Sequence, residues 1–183
     1  MTRLHDLGQI EAALWRELGR ATCESVHGWR RATLATRAGV AADARTVVLR
    51  EVDPAAHCVR FYSDARSAKI GQIADAPDGT LVCWSHALGW QLRLRLTMDV
   101  QTAGLAVTSR WAKLRMTPAA ADYLAPLAPG SALDAERPLP VRGEREWFAL
   151  VTAAVTAVDW LELHAEGNRR ALFDATGSRW LSP

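Results

Sequence analysis

The sequence predicts a small antiparallel β-barrel with flanking helices, built from about six or seven strands and three helices. Two observations carry this prediction. Polar and apolar residues alternate with a period of two in several short segments, and turn-forming residues separate these segments. The chain of 183 residues is 49% apolar, enough for one complete core. We therefore predict a single domain over residues 1–183, with a helix at about 4–19 and a C-terminal hairpin at about 147–183.

The first helix and the first three strands follow from a change of period. Apolar residues recur at helical spacing at the N-terminus, which predicts an amphipathic helix packed on the outside of a sheet; they are Leu7, Ile10, Leu14 and Leu18. The period then falls to two in the segments 32–36, 45–50 and 57–62. Gly and Asp-Pro turn residues separate these segments and suit hairpins, so a meander is the simplest topology.

The next elements alternate between helix and strand. Ser67 is placed to cap a short helix that ends before Pro77-Asp-Gly79, and a strand follows at 79–84. Residues 91–100 show the clearest alternation in the chain, with Gln91, Arg93 and Arg95 on one face. A helix at 105–116, a helix and irregular loop at 117–141, and strands at 147–163 and 169–174 complete the prediction.

Composition argues against several classes of protein. The formal net charge is +2 with a pI of about 8.6, and the charges are scattered, so nothing demands a nucleic-acid or membrane partner. No apolar run approaches the roughly 18 residues of a membrane span. The three cysteines form no CxxC pair, and we see no signal peptide. We therefore expect a cytoplasmic protein.

Several catalytic motifs are absent from the sequence. It contains no GxGxxG, no P-loop and no GxSxG elbow. The five histidines show neither HxH nor HExxH spacing, so we predict no metal site. No residue is assigned a catalytic role.

The segment around Ser67 has the character of an anion site. A helix that begins there leaves backbone N–H groups unpaired, and phosphate commonly binds at such a helix start. Ser63 and Ser67 offer hydroxyl groups, and Arg66 or Lys69 offers a full charge. The alternative is a solvated helix start with ordinary surface cations.

Two arginines bracket the apolar strand 45–50. The spacing of Arg45 and Arg50 is five, so strict alternation places their side chains on opposite faces. A shared ligand therefore requires either a position across the strand edge or end, or a β-bulge. Gln91 and Arg93 do share a face, and the Gln amide offers a donor and an acceptor to a flavin-like ring. With Arg95, the same face also permits a nucleic-acid-binding sheet.

Taken together, these motifs resemble a known family. They occur in the order 45–50 (Arg-Thr-Val-Val-Leu-Arg), 61–63 (Phe-Tyr-Ser), 67–69 (Ser-Ala-Lys), 81–84 and 90–93 (Trp-Gln-Leu-Arg). This order and spacing resemble the pyridoxamine 5'-phosphate oxidase family, clearly over about residues 29–100 and more loosely toward the C-terminus. The resemblance implies a homodimeric split barrel that binds flavin mononucleotide (FMN).

The resemblance also implies a set of FMN-binding residues. Arg45, Ser67 and Lys69 would hold the phosphate, and Arg50 and Gln91 would approach the flavin ring. The full implied set is Arg45, Thr46, Val47, Val48, Arg50, Tyr62, Ser63, Ser67, Lys69 and Gln91. The protein's contribution in such a site is to bind the cofactor and tune its electronics.

The residues that would hold the substrate depart from the family pattern. Where the vitamin B6 oxidases carry Tyr, Arg and Ser on the helix after the long strand, only Arg110 has a counterpart, beside Ala106 and Leu114. The family's C-terminal Arg-x-His reads Asn-Arg-Arg, ending at Arg170, and a flavin-contacting Trp corresponds to Leu161. Arg110 and Arg170 remain the candidate substrate-binding residues.

We therefore predict an FMN-dependent oxidoreductase with a small-molecule substrate that is not pyridoxine 5'-phosphate. One alternative is a non-catalytic split barrel that carries flavin, a deazaflavin or haem. A remote alternative is a nucleic-acid-binding β-barrel that uses Arg93 and Arg95.

Overall fold

A computed structural model describes residues 3–133 and 146–183. Three α-helices are α1 (Leu7–Cys23), α2 (Ala68–Asp75) and α3 (Leu105–Leu114), and a 3₁₀ helix spans Pro118–Tyr123. The described strands are β1 (Arg31–Ala38), β2 (Ala41–Asp53), β3 (Cys58–Asp64), β4 (Asp78–Ser85), β5 (Trp90–Gln101), β6 (Phe148–Glu162), β7 (Arg169–Asp174) and β8 (Gly177–Leu181).

Six antiparallel strands close into a barrel. They follow the order β3-β2-β1-β4-β5-β6, and β6 pairs back with β3. The long strand β6 divides the sheet: residues 148–154 pair with β3, and residues 157–162 pair with β7. The predicted barrel is confirmed, and β7 and β8 extend beyond it as additional strands.

The topology departs from a simple meander after β3. The meander is correct for β1, β2 and β3, but the chain then crosses through α2 and places β4 beside β1. Strand β8 was not predicted because its five residues, mostly exposed, show no alternation of polar and apolar side chains.

Helix α1 begins and ends later than the predicted 4–19. Asp6 caps its first turn, accepting a hydrogen bond from the Gln9 backbone N–H at 2.9 Å. Arg20 pairs with Glu17 and Glu24 one turn to either side, so the last turn continues past Gly19. The predicted apolar stripe is largely buried and packs in the main core.

A second apolar cluster lies beside the main core and fixes α3. Trp111 on α3 contacts Tyr123 and Phe148, at ring-centroid distances of 6.2 and 5.6 Å. The predicted helix at 105–116 is shorter in the structure, where α3 ends at Leu114 and the 3₁₀ helix follows it. Residues 134–141 of the predicted irregular loop lie outside the described residues.

Within the described ranges, no helix has the length and apolar character to cross a membrane. The same part of the chain contains no group of three or more His, Cys, Asp or Glu side chains suited to a metal ion.

Candidate functional site

A β-bulge at Arg50 organises the site. Leu49 pairs with Phe61 and Glu51 pairs with Arg60, so Arg50 is the extra residue in β2. The bulge predicted as one explanation for the spacing of Arg45 and Arg50 is therefore present. Its effect is to bring two consecutive residues, Arg50 and Glu51, to the wall of the same cavity.

Eight of the ten cofactor residues predicted from sequence line one cavity of about 210 Å³, which we call the β2–α2 cavity. They are Thr46, Val47, Val48, Arg50, Tyr62, Ser63, Ser67 and Lys69. Asp64, Asp122, Tyr123 and Pro129 complete its lining and were not predicted. The middle of β2, the end of β3 and the start of α2 thus meet at one place.

Lys69 supplies a cation to this cavity. Its Nζ donates hydrogen bonds to Ser63 Oγ at 3.1 Å and to Ser67 Oγ at 2.6 Å. In the described residues no carboxylate lies within ion-pair distance of Lys69. Burial, followed by the nearby charge of Arg45, lowers the pKa of Lys69 below its ordinary value. An anion in the cavity would relieve both effects.

The start of α2 adds unpaired backbone donors. Ser67 has extended backbone angles at the N-cap, but its side chain makes no capping hydrogen bond to the helix. Its hydroxyl accepts from Lys69 instead, which leaves the first amides of α2 without a side-chain partner. Together with Lys69, these N–H groups fit a phosphate group.

Arg45 does not line the β2–α2 cavity. Its guanidinium donates to the Asp43 carboxylate, to Thr36 Oγ1 and, at 2.7 Å, to Gln72 Oε1 on α2. It therefore lies behind Lys69 and adds positive potential there. Direct contact between Arg45 and a cofactor phosphate stays a prediction.

Arg66 is fully engaged elsewhere. It pairs with the buried carboxylate of Asp64 at 2.7 Å and stacks on Trp147, with its guanidinium carbon 4.3 Å from the ring centroid. It also donates to the backbone carbonyl oxygens of residues 125–127. Of the two cations that the sequence offered for the anion site, the structure brings Lys69 to the cavity and uses Arg66 to anchor a loop.

A larger cavity adjoins the first. The β2–α3 cavity, of about 500 Å³, shares Arg50 and Tyr62 with the β2–α2 cavity. Arg110, predicted to bind substrate, lies in its wall and forms an ion pair with Glu51 at 2.6 Å. Sequence reasoning missed Glu51, although its position directly after Arg50 in a strand with a suspected bulge was the available signal.

The remaining predicted residues lie on the sheet formed by β5, β6 and β7. Gln91 is opposite Leu161, which is opposite Arg170, so the three side chains form one row across the strands. Arg170 and Arg93 both pair with Asp159, and none of the row lines either cavity. Arg93, one of the two cations on which the nucleic-acid hypothesis depended, is thus paired with a carboxylate.

A further cavity, of about 300 Å³, lies where Trp15 stacks on His57. It contains none of the predicted site residues. Its described lining contains the carboxylates of Glu11 and Asp174 and no Lys or Arg, so we do not assign the cofactor to it.

The family model described as "pyridoxamine 5'-phosphate oxidase, FMN-binding domain" matches residues 12–102. A pyridoxamine 5'-phosphate oxidase-related, FMN-binding protein from Nostoc punctiforme is similar over all of both chains, with 22% identity and a TM-score of 0.72. PhzG from Burkholderia lata, solved with tetrahydrophenazine-1-carboxylic acid, is similar over 94% of this chain and 91% of its own, with 14% identity and a TM-score of 0.74.

A third similar structure is ChuZ from Campylobacter jejuni, with 11% identity and a TM-score of 0.60 over 98% of this chain and 65% of its own. No curated protein sequence matches the chain. The fold and the matched domain define an FMN-binding split barrel. The chain belongs to the pyridoxamine 5'-phosphate oxidase-like family, whose domain has FMN as its cofactor.

Proposed function

We propose that the protein is an FMN-dependent oxidoreductase that acts on a small molecule other than pyridoxine 5'-phosphate. The observation that carries this proposal is the shared wall of the two cavities. Arg50 and Tyr62 line both, so a chamber of about 500 Å³ adjoins the residues suited to the cofactor phosphate. FMN would supply hydride acceptance from a substrate held in that chamber.

The β2–α2 cavity supports a specific assignment for the cofactor. Lys69, Ser63 and Ser67, with the first amides of α2, would hold the phosphate, and Arg45 would add positive potential from behind. Arg50 would lie between the phosphate and the second cavity. Its Nε is buried and makes no hydrogen bond within the described residues, so it is free to donate to a ligand.

The substrate would bind in the β2–α3 cavity, between the β2 bulge and α3. Arg110 is the counterpart of the Arg that the vitamin B6 oxidases carry on this helix. Ala106 and Leu114 offer no hydroxyl where those oxidases carry Tyr and Ser. Losing two such contacts, at about 1 kcal/mol or more each, would cost at least about 30-fold in kcat/KM for pyridoxine 5'-phosphate. PhzG shows that a related fold binds a tricyclic carboxylic acid, which supports a substrate outside vitamin B6 chemistry.

We also propose a homodimer with one domain per chain, located in the cytoplasm. Gln91, Leu161 and Arg170 form a row that lines neither cavity of their own chain, and Trp84 and Trp180 are each more than 40% exposed. A second copy would cover these aromatic side chains and bring Gln91 toward the partner's flavin.

The test of the proposed function is anaerobic reduction of the bound flavin. FMN-loaded protein is mixed with candidate substrates, including pyridoxine 5'-phosphate and aromatic carboxylic acids, while the visible flavin band is followed. We expect bleaching by a non-phosphorylated compound and slow or absent bleaching by pyridoxine 5'-phosphate. Turnover of pyridoxine 5'-phosphate as efficient as that of a vitamin B6 oxidase would contradict the proposal.

A further inference from the structure

The β2–α3 cavity contains a closed ion pair. Arg110 Nε and Nη2 each donate to one carboxylate oxygen of Glu51 at 2.6 Å. The Tyr62 hydroxyl donates to the same carboxylate at 3.0 Å, and Arg110 Nη1 donates to the Ala106 carbonyl oxygen at 3.0 Å. The N–H edge through which the guanidinium would pair with an anion, formed by Nε and Nη2, is therefore already occupied by a side chain of this protein.

At neutral pH Glu51 and Arg110 are both charged, and Tyr62 is neutral. The hydrogen bonds from Arg110 hold the pKa of Glu51 below its ordinary value, and Glu51 in turn raises the pKa of Arg110. Burial and the bond to Glu51 raise the pKa of Tyr62 to about 12, so its hydroxyl remains a donor. The pair carries no net charge toward the cavity.

The other cations of the cavity have different surroundings. Arg30 donates to the carbonyl oxygens of Ala21 and Thr22 near the end of α1. Arg50 is shared with the β2–α2 cavity, and Lys113 is exposed. Arg110 is thus the cation of the cavity wall whose availability to a substrate depends directly on Glu51.

We propose that Glu51 determines substrate specificity: by occupying Arg110, it restricts the β2–α3 cavity to substrates without a phosphate ester. A phosphate dianion can pair with Nε and Nη2 of Arg110 only by displacing the Glu51 carboxylate, which already accepts from both at 2.6 Å. A neutral substrate needs no such displacement. This inference rests on the proposed function, in which this cavity takes the substrate.

The test is equilibrium binding to FMN-loaded wild-type protein and to the Glu51→Gln variant, followed by perturbation of the flavin spectrum. The ligands are pyridoxine 5'-phosphate and pyridoxine, which differ by the phosphate alone. The substitution keeps the side-chain shape but removes the charge that occupies Arg110. We expect pyridoxine 5'-phosphate to bind at least about tenfold more tightly to the variant, as a freed charged donor would provide. Pyridoxine should change by less than about twofold, since it lacks the phosphate charge.

Two further variants make the test specific. Asp174→Asn removes a carboxylate that Arg179 holds in the turn between β7 and β8, outside both cavities, and should leave the affinity for pyridoxine 5'-phosphate unchanged. Adding Arg110→Gln to Glu51→Gln should abolish the gain.

Three results would overturn the proposal: no gain in Glu51→Gln, an equal gain for pyridoxine, or a gain that survives in the double variant. Failure of the proposed function would be observed separately. In that case the phosphate-specific gain would be present, while no substrate reduced the bound flavin.

Discussion

Replacement of Lys69 by alanine should weaken FMN binding while leaving riboflavin binding nearly unchanged. In the structure, Lys69 Nζ donates to the hydroxyls of Ser63 in β3 and Ser67 at the start of α2, and it has no carboxylate partner among the described residues. A hydrogen bond to a charged group contributes about 1.5 to 3 kcal/mol. Loss of that contact corresponds to a Kd for FMN about 10 to 150 times higher. Riboflavin lacks the phosphate and should lose less than about twofold.

The assay is quenching of flavin fluorescence during titration of apoprotein with FMN or riboflavin. Lys113→Ala is the matched control, since Lys113 lines the β2–α3 cavity and not the β2–α2 cavity. It should leave both affinities unchanged. Equal losses of FMN and riboflavin in Lys69→Ala would refute the reasoning and return Lys69 to the class of ordinary surface cations.

Three further predictions concern Lys69, Arg66 and Trp84. Burial and Arg45 lower the pKa of Lys69 in the free protein, and a bound phosphate would raise it, so FMN binding should take up protons. The affinity for FMN should therefore fall as pH rises through the alkaline range. An FMN affinity that stays constant with pH in calorimetric titrations would contradict this. Arg66→Ala leaves the Asp64 carboxylate buried without its ion pair, so the variant should unfold at a lower urea concentration than the wild type, and an unchanged midpoint would count against the pair. Trp84→Asp should convert the proposed dimer to a monomer in sedimentation, with an unchanged dimer as the opposing result.

The elements of the fold were largely predictable because strands with one buried face show their period directly. Residues 91–100 alternate strictly, and they form β5 with Leu92, Leu94 and Leu96 buried. The crossing from β3 to β4 through α2 was not predictable, because strand partners depend on long-range pairing that local periodicity does not contain. Strand β8 was missed because its residues are mostly exposed. A strand without a buried face shows no alternation of polar and apolar residues.

Within the site, the sequence predicted which residues line a cavity better than it predicted which side chains they contact. Lys69, Ser63 and Ser67 were predicted from local chemistry at a helix start, and the structure brings all three to one cavity. The partners of Arg45 and Arg110 could not be predicted, because Gln72 and Glu51 reach them only through the packing of α2 and the bulge in β2. Such pairings decide which cations face a ligand.

The most direct test of FMN binding is the visible spectrum of the purified protein, with identification of the flavin released by heat. We expect a yellow protein that releases FMN and not FAD, because the β2–α2 cavity offers one compact phosphate site without a Gly-rich dinucleotide turn. A colourless protein that also fails to quench the fluorescence of added FMN would contradict it.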